Sequence, residues 1–424
     1  MRKRMSNTGR RWMSGLLAFT LCTVLLAGCG DGKAPQEKDN KTETEKTEAS
    51  TPVPDEDTQT KPADFSKSAV DFVKDMGVGW NLGNSLDAYK DGKGNETAWG
   101  NPYITKELIQ AVQDAGFRTI RIPVTYMGQI GAAPDYTIDE KWLDRVQVVV
   151  DVALETGMYV IINIHHDGNN DMENGAWIDI SQPDQTQMQE KFKAVWTQIA
   201  EKFKGYDEHL IFESMNEIME KDNYGNPKED ATYKNINALN QIFVDAVRAS
   251  GENNAERYLL VPGYNTNITA TLLEDFILPT DTAEDKMMAS VHFYDPWNFA
   301  GAGNTIGWGK DAENYDLWVD GWGQEDWVDE AFGKMKEAFT DKGVPIILGE
   351  YGAVYQSEER EDNRYYYIHY VTKAALDAGM CPVVWDNGGT GSGGDAFAIF
   401  SRKSGNVVIH EKYLQGIMDA AKGQ

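Results

Sequence analysis

Beyond residue 64 the chain alternates between two kinds of hydrophobic pattern. Short, nearly continuous apolar runs occur at 77–83 (GVGWNLG), 118–124 (RTIRIPV), 158–166 (MYVIINIHH) and 209–217 (HLIFESMNE). Four more follow at 257–263 (RYLLVPG), 287–294 (MMASVHFY), 344–350 (VPIILGE) and 380–386 (MCPVVWD). Between them, segments such as ITKELIQAVQDAG and IDEKWLDRVQVVVDVALETG repeat their apolar residues with helical periodicity and end at glycine or a polar turn. Continuous apolar strands alternating with amphipathic helices imply a parallel sheet whose outer face is covered. Eight such units predict a single α/β domain, a (β/α)8 TIM barrel with long loops. A doubly wound open sheet is the competing topology, but no glycine-rich phosphate loop follows the first run.

The runs end in polar residues. The third closes with His165 and His166, the fourth with Asn216 and Glu217, and the sixth with His292 and Tyr294. The seventh closes with Glu350 and the eighth with Trp385 and Asp386, while Arg121 lies within the second. In a barrel these tips converge on one face, where active sites lie. Two Glu facing each other, with Trp and Tyr nearby, suit glycosidic bond cleavage: one carboxyl protonates the leaving oxygen and the other attacks or activates water. Indole and phenol faces stack on sugar rings, and Asn, His and Arg bond hydroxyls. The competing chemistry is a metal site, since HHD at 165–167 offers ligand types. Adjacent residues on a regular strand point to opposite faces, however, and the chain has six His with no H-x-H or H-E-x-x-H pattern. No metal and no cofactor are expected. Trp80, Asn81 and Arg118 read equally well as barrel filling, and Asp167 and Asp386 as loop or supporting groups. The tryptophans at 297, 308, 318 and 322 fall in a connection too long for a plain turn, expected to form a wall for substrate.

The N-terminal segment departs from this pattern. A basic start (Arg2, Lys3, Arg4, Arg10, Arg11) precedes an apolar stretch from Gly15 to Ala27, and LAGC ends at Cys29. That is the plan of an export signal over residues 1–28, with Cys29 placed to receive lipid. Residues 29–63 contain no aromatic and one Val, too little apolar surface to offset chain entropy, so they read as a tether to a catalytic domain at 64–424. The formal charge of −27 argues against nucleic acid and for a neutral partner. With Cys22 in the signal and Cys29 acylated, Cys381 stands alone, which excludes a disulfide framework.

Eight motifs in register identify a resemblance. GWNLGNSLDA (79–88), ETAWGNP (96–102), GFRTIRIPVTY (116–126), YVIINIHHDG (159–168), FESMNEI (212–218), VHFYDPWNFAG (291–301), PIILGEYGA (345–353) and VVWDNGG (383–389) resemble glycoside hydrolase family 5, its endoglucanase-rich subfamily 4 in particular. The resemblance implies that Glu217 is the general acid/base and Glu350 the nucleophile, with Arg121 and Tyr294 holding Glu350 ionised. It further implies that Asn216 bonds the sugar 2-hydroxyl, that Asn84, His165 and His166 line subsites on the non-reducing side, that His292 stands beside the acid/base, and that Trp385 forms the platform at the cleavage point. Glu217 is expected to have a raised pKa so that it can donate near neutrality. Ile218 stands where the family usually has Pro. The implied activity is a retaining endo-β-1,4-glucanase on cellulose-like, mixed-linkage or xyloglucan chains, with a β-mannanase as the neighbouring alternative. A non-catalytic, sugar-capturing lipoprotein is the reading from another class. The expected state is an exported monomer held at the membrane only through its N-terminal lipid. Cys29→Ser is therefore expected to release the enzyme from the membrane fraction, as followed by fractionation; retention and processing like the parent protein would remove Cys29 as the anchor.

Overall fold

The computed structural model describes residues 63–228, 230–302, 306–315 and 318–423. The signal at 1–28, Cys29 and the tether up to residue 62 lie outside the described residues. Eight parallel strands close into a barrel: β1 (Gly79–Asn81), β2 (Thr119–Ile122), β3 (Tyr159–Asn163), β4 (Leu210–Glu213), β5 (Leu259–Asn267), β6 (Met287–Phe293), β7 (Ile346–Tyr351) and β8 (Cys381–Val384). Each coincides with one of the eight apolar runs, and β1 pairs with both β2 and β8 to complete the ring.

Helices cover the outside: α1 (Lys106–Asp114), α2 (Glu140–Glu155), α3 (Thr186–Phe203), α4 (Asp230–Ala249), α5 (Ile268–Thr271), α6 (Glu325–Ala338), α7 (Glu361–Asp377) and α8 (Glu411–Ala421). Thr105 and Asp139 cap α1 and α2 by accepting backbone N–H bonds in the first turn. The fifth crossover departs from an even (β/α) rhythm, because α5 is a single turn capped by Asn267. The strand β5 runs long instead and carries two residues with positive φ, Asn265 and Thr266, into the catalytic face.

The barrel interior is layered with a period of two residues. At the bottom, Ile161, Ile211, Leu260, Met288, Ile347 and Val383 form an apolar floor closed by an N-terminal helix, Ala69–Met76. Phe72 of that helix stacks on Tyr258 at 3.7 Å and meets Tyr159 edge-on at 5.1 Å. Cys381 is buried in the same floor, and burial pushes its thiol up to about 12. Two residues further along the strands the layer is polar: Asn81, Arg121, Asn163, Glu213 and Ser290, all fully buried or nearly so. Arg118, which could have filled the barrel, is exposed instead.

The bottom rim is locked by Arg257, just before β5. Its guanidinium is fully buried and donates to Asn254 Oδ1 (2.6 Å) and to the carbonyls of Asp207, Leu210, Phe203 and Tyr206 (2.6–3.1 Å). Phe203 ends α3, so one side chain serves orphan carbonyls of a helix terminus and of a strand entry. Burial pushes this guanidinium down to about 9, offset in part by Asp207. Arg257→Ala would strand several buried acceptors and is expected to lower unfolding free energy by roughly 2–5 kcal/mol. Urea denaturation measures that loss, while turnover of the folded fraction should stay unchanged because the rim lies at the end of the barrel opposite the catalytic tips.

Candidate active site

The C-terminal strand ends surround a cleft of about 790 Å³ whose walls include His165, His166, Glu217, His292, Tyr294, Glu350 and Trp385. Arg121 and Asn216 lie beneath it, buried. Asn84 is the exception among the expected sugar contacts: it sits in the loop after β1 with φ 54° and is not among the lining residues.

Glu350 reaches the cleft through an irregularity. Along β7 the register against β6 runs Leu348 opposite Val291, then Glu350 opposite His292, so Gly349 is an extra residue. Such a bulge re-aims the next side chain. A Cβ on residue 349 would lie 3.2 Å from both His292 Nε2 and Ser290 Oγ, which is why glycine occupies it. Glu350 then accepts from Arg121 Nη1 (2.8 Å) on one oxygen and from Tyr294 Oη (3.1 Å) on the other. Glu217, beyond the end of β4, has φ 44°, a left-handed conformation that costs a non-glycine residue of order 1–3 kcal/mol. Ile218 follows it fully buried, with its Cδ1 2.5 Å from where a Cβ on Gly168 would stand, so the family's usual Pro is replaced here by an apolar contact with the next loop.

An oxygen of Glu217, a nitrogen of His292 and an oxygen of Glu350 all lie within 4.8 Å of one another. His292 Nδ1 is 2.7 Å from Glu217. Its Nε2 is buried with no hydrogen-bond partner among the described residues, and an N–H there would cost more than a bare lone pair. Nδ1 is therefore the nitrogen that donates to Glu217. The expected rise of Glu217 is not what the free site gives. Burial pushes it up, but the His292 hydrogen bond and the charges of His166 and Arg121 carry it below its usual value. Glu350 moves the other way, raised by burial and by the facing Glu217 against the pull of His292 and Arg121. Two carboxyls this close titrate as one system, with ionisation of either raising the other.

His165 and His166 correct the alternation argument made against a shared site. The strand β3 ends at Asn163, so the two imidazoles are not bound to opposite faces; their rings meet edge-on at 4.5 Å. His165 is kept neutral by burial and by His166, Arg121 and His292, which lower it well below its usual value. Asn163 donates one amide hydrogen to Glu213 (3.0 Å) and meets His165 Nδ1 at 3.2 Å with the other, which leaves the His165 proton on Nε2, facing the cleft. His166 lies between two carboxylates, Asp87 at 3.7 Å and Asp171 at 3.4 Å. These offer ligand types, as the sequence suggested, but each nitrogen of His166 already faces a carboxylate.

The indole of Trp385 lies parallel to His165, 6.0 Å away. It passes directly over Gly83, where any Cβ would come within 2.6 Å of it. Asp386 accepts from Trp80 Nε1 and from Arg402 (each 3.0 Å), a structural role as expected. Of the loop tryptophans, Trp297, Trp318 and Trp322 are exposed, whereas Trp308 is fully buried against Tyr366 and Tyr367 and forms core. Trp297 lines the cleft together with Trp327 and Tyr224, neither of which the sequence pattern singled out. Glu213 was also passed over. Its only signal is an acid that directly follows the apolar Leu210, Ile211 and Phe212.

Paired carboxyls with oxygens this close, on the catalytic face of a closed barrel, suit the ~5–5.5 Å of a retaining pair better than the roughly 6.5–9.5 Å of an inverting one. The molecule is thus a retaining glycoside hydrolase. The comparisons define it further: residues 85–391 match the cellulase family, glycosyl hydrolase family 5. Endoglucanase A of Paenibacillus barcinonensis is 44% identical over 83% of this chain and 90% of its own length. Endoglucanase A of Ruminococcus albus is 40% identical over 80% of this chain and 88% of its own. Among solved structures, a family 5 xyloglucanase from Paenibacillus pabuli superposes with a TM-score of 0.79 at 46% identity, covering 82% of this chain and 99% of that one. A broad-specificity endoglucanase of subfamily 4 from Bacteroides salanitronis gives a TM-score of 0.79 at 43% identity, covering 84% and 95%. The chain belongs to glycosyl hydrolase family 5, and it is an endo-β-1,4-glucanase rather than a non-catalytic sugar binder.

The His166 ion pair gives this site a measurable pH signature. Burial alone would lower the imidazole, but hydrogen bonds to Asp171 and Asp87 raise it from 6.5 to about 10. A folded-state value above the free one means that its contribution to stability is complete below pH 6.5 and is lost as pH rises toward 10. His166→Gln is expected to melt lower than the parent at neutral pH, with the two melting curves converging by about pH 10. A constant gap across that range would show that His166 does not carry the charge.

Proposed function

We propose that Glu350 is the nucleophile and Glu217 the general acid/base, acting on an internal β-1,4 bond of a glucan chain laid across the cleft. The observation that carries this assignment is the asymmetry of the two carboxyls. Arg121 and Tyr294 both donate to Glu350 and fix its aim, whereas among the described residues Glu217 has only His292 and an open side toward the cleft. Before attack, the negative charge on Glu350 favours retention of the proton on Glu217. Formation of the glycosyl ester removes that charge, so Glu217 becomes easier to deprotonate and serves as base toward the incoming water. Asn216 gives its oxygen to Arg121 Nη2 (2.7 Å), which leaves its amide hydrogens for a sugar hydroxyl. Trp385 supplies the stacking face beneath the ring being cleaved.

The cleft, lined by Tyr224, Tyr294, Trp297, Trp327 and Trp385, supports soluble β-glucans and xyloglucan as substrates. So do the descriptions of its neighbours as xyloglucanase and broad-specificity endoglucanase. We place the enzyme outside the cytoplasm, as a monomer held by lipid on Cys29.

The role assignment is tested with azide. Glu350→Ala is expected to lose turnover on every substrate and to regain it with azide only as the α-glycosyl azide. Glu217→Ala should keep most of its glycosylation rate on substrates with good leaving groups, and azide should yield the β-azide. Exchange of the two azide products between the mutants, as identified by NMR, would reverse the roles.

A further inference from the structure

Glu213 has no contact with the cleft: it is fully buried one layer below the reacting groups. All of its contacts are donors. Arg121 Nε binds one oxygen at 2.7 Å and Asn163 Nδ2 binds the same oxygen at 3.0 Å, while Ser290 Oγ binds the other at 2.6 Å. Three donors thus occupy both oxygens of one carboxyl. Through Arg121 it fixes the plane of the guanidinium, whose Nη1 is then aimed at Glu350 and Nη2 at Asn216. Through Asn163 it fixes the tautomer of His165, as described above.

Orientation is only half of what this arrangement does. Among the described residues Arg121 is the sole cation in hydrogen-bond contact with Glu350, and it is flanked by two carboxylates, each at ion-pair distance. In this buried position the charge of Glu213 cancels part of the field that Arg121 exerts on Glu350. The other groups facing Glu350 are His165 beyond β3, Glu217 beyond β4, and His292 and Tyr294 from β6 and its end. His165 is neutral, and the donors facing Glu213 from β3 and β6, Asn163 and Ser290, carry no charge. Among the described residues no other buried charge therefore offsets Arg121 from below.

We infer that Glu213 is a positioning residue that partitions the charge of Arg121 and thereby keeps Glu350 basic enough to attack. This rests on Glu350 being the nucleophile. Burial already lifts Glu350 above its usual range despite Arg121. An unshared guanidinium would bring it down, which weakens a nucleophile while easing its departure as a leaving group.

Two substitutions separate charge from geometry. Glu213→Gln keeps the shape: its carbonyl accepts from Arg121 and Asn163, and its NH2 donates to Ser290 once that hydroxyl turns over. Only the charge is lost. The acid limb of kcat/KM on a dinitrophenyl cellobioside, which needs no acid assistance, is expected to move down by about half to one pH unit. At the same time kcat/KM should fall several-fold at the plateau, with an unchanged melt. Glu213→Asp keeps the charge but is one methylene too short for Arg121. Its acid limb should stay within about 0.2 unit of the parent while kcat/KM falls by on the order of 100-fold. An acid limb that stays put or rises in Glu213→Gln overturns the inference, as does a limb that falls in Glu213→Asp. Should Glu213→Gln not fold, the aspartate variant decides alone by the same criterion. Azide rescue of Glu350→Ala with an unmoved limb in Glu213→Gln would defeat this inference and leave the nucleophile assignment standing.

Discussion

A guanidinium buried in the middle of a barrel is tolerable only if each nitrogen has an acceptor and its charge has a partner. Arg121 meets both conditions with Glu213, Asn81, Glu350 and Asn216 at 2.7–3.0 Å. These acceptors come from β1, β4, β7 and the tip beyond β4, so one side chain ties four parts of the barrel to a common centre. The catalytic geometry is built on that centre. Glu350 cannot shift without leaving Arg121 short of an acceptor, and Asn216 is held by its oxygen, one residue before Glu217. Replacing such a group with an apolar one would be compatible with folding in principle, but the reaction would lose its alignment.

The strain in the molecule lies around the same centre. Glu217 sits in the left-handed region, Gly349 interrupts β7, and Asn265 and Thr266 carry positive φ where β5 enters the cleft wall. Conformations of this kind persist only where the surroundings over-determine them. Here the apolar floor and its N-terminal helix supply a rigid base two layers below, and Ile218 packs into the neighbouring loop immediately after Glu217. The distance between floor and cleft is a consequence of strand periodicity: apolar layer, polar layer, reacting layer, at two-residue steps.

Electrostatics then divides the labour among groups of similar chemistry. Of two adjacent histidines, His165 is neutral because it is buried among cations and His166 is charged because two carboxylates face it. Of the glutamates, one is paired with Arg121 below the site, one faces a cation and a phenol, and one faces an imidazole. Residue type alone predicts none of this; the environment of each group sets its state.

The eight strands, their order and the convergence of their tips were legible in the sequence, because a parallel barrel imposes continuous apolar runs that few other folds produce. The Glu217 and Glu350 tips were legible for the same reason, since an ionisable residue closing such a run stands out. Glu213 and Asn163 were not, because each is the last residue of its strand, where a polar side chain reads as the strand's ordinary end. The shortness of α5, the core position of Trp308 and the closeness of His165 to His166 were equally hidden, as each depends on where a backbone departs from regular geometry. The state of Glu217 in the free enzyme was misjudged for a further reason. A carboxyl's environment is made by residues far away in the chain, here His292 and Glu350, and only folding brings them within 4.8 Å. The sequence by itself determined which side chains reach the catalytic face, since hydrophobic periodicity is local. Their charges and aims were decided by the tertiary structure, since electrostatic fields and hydrogen-bond partners act through space.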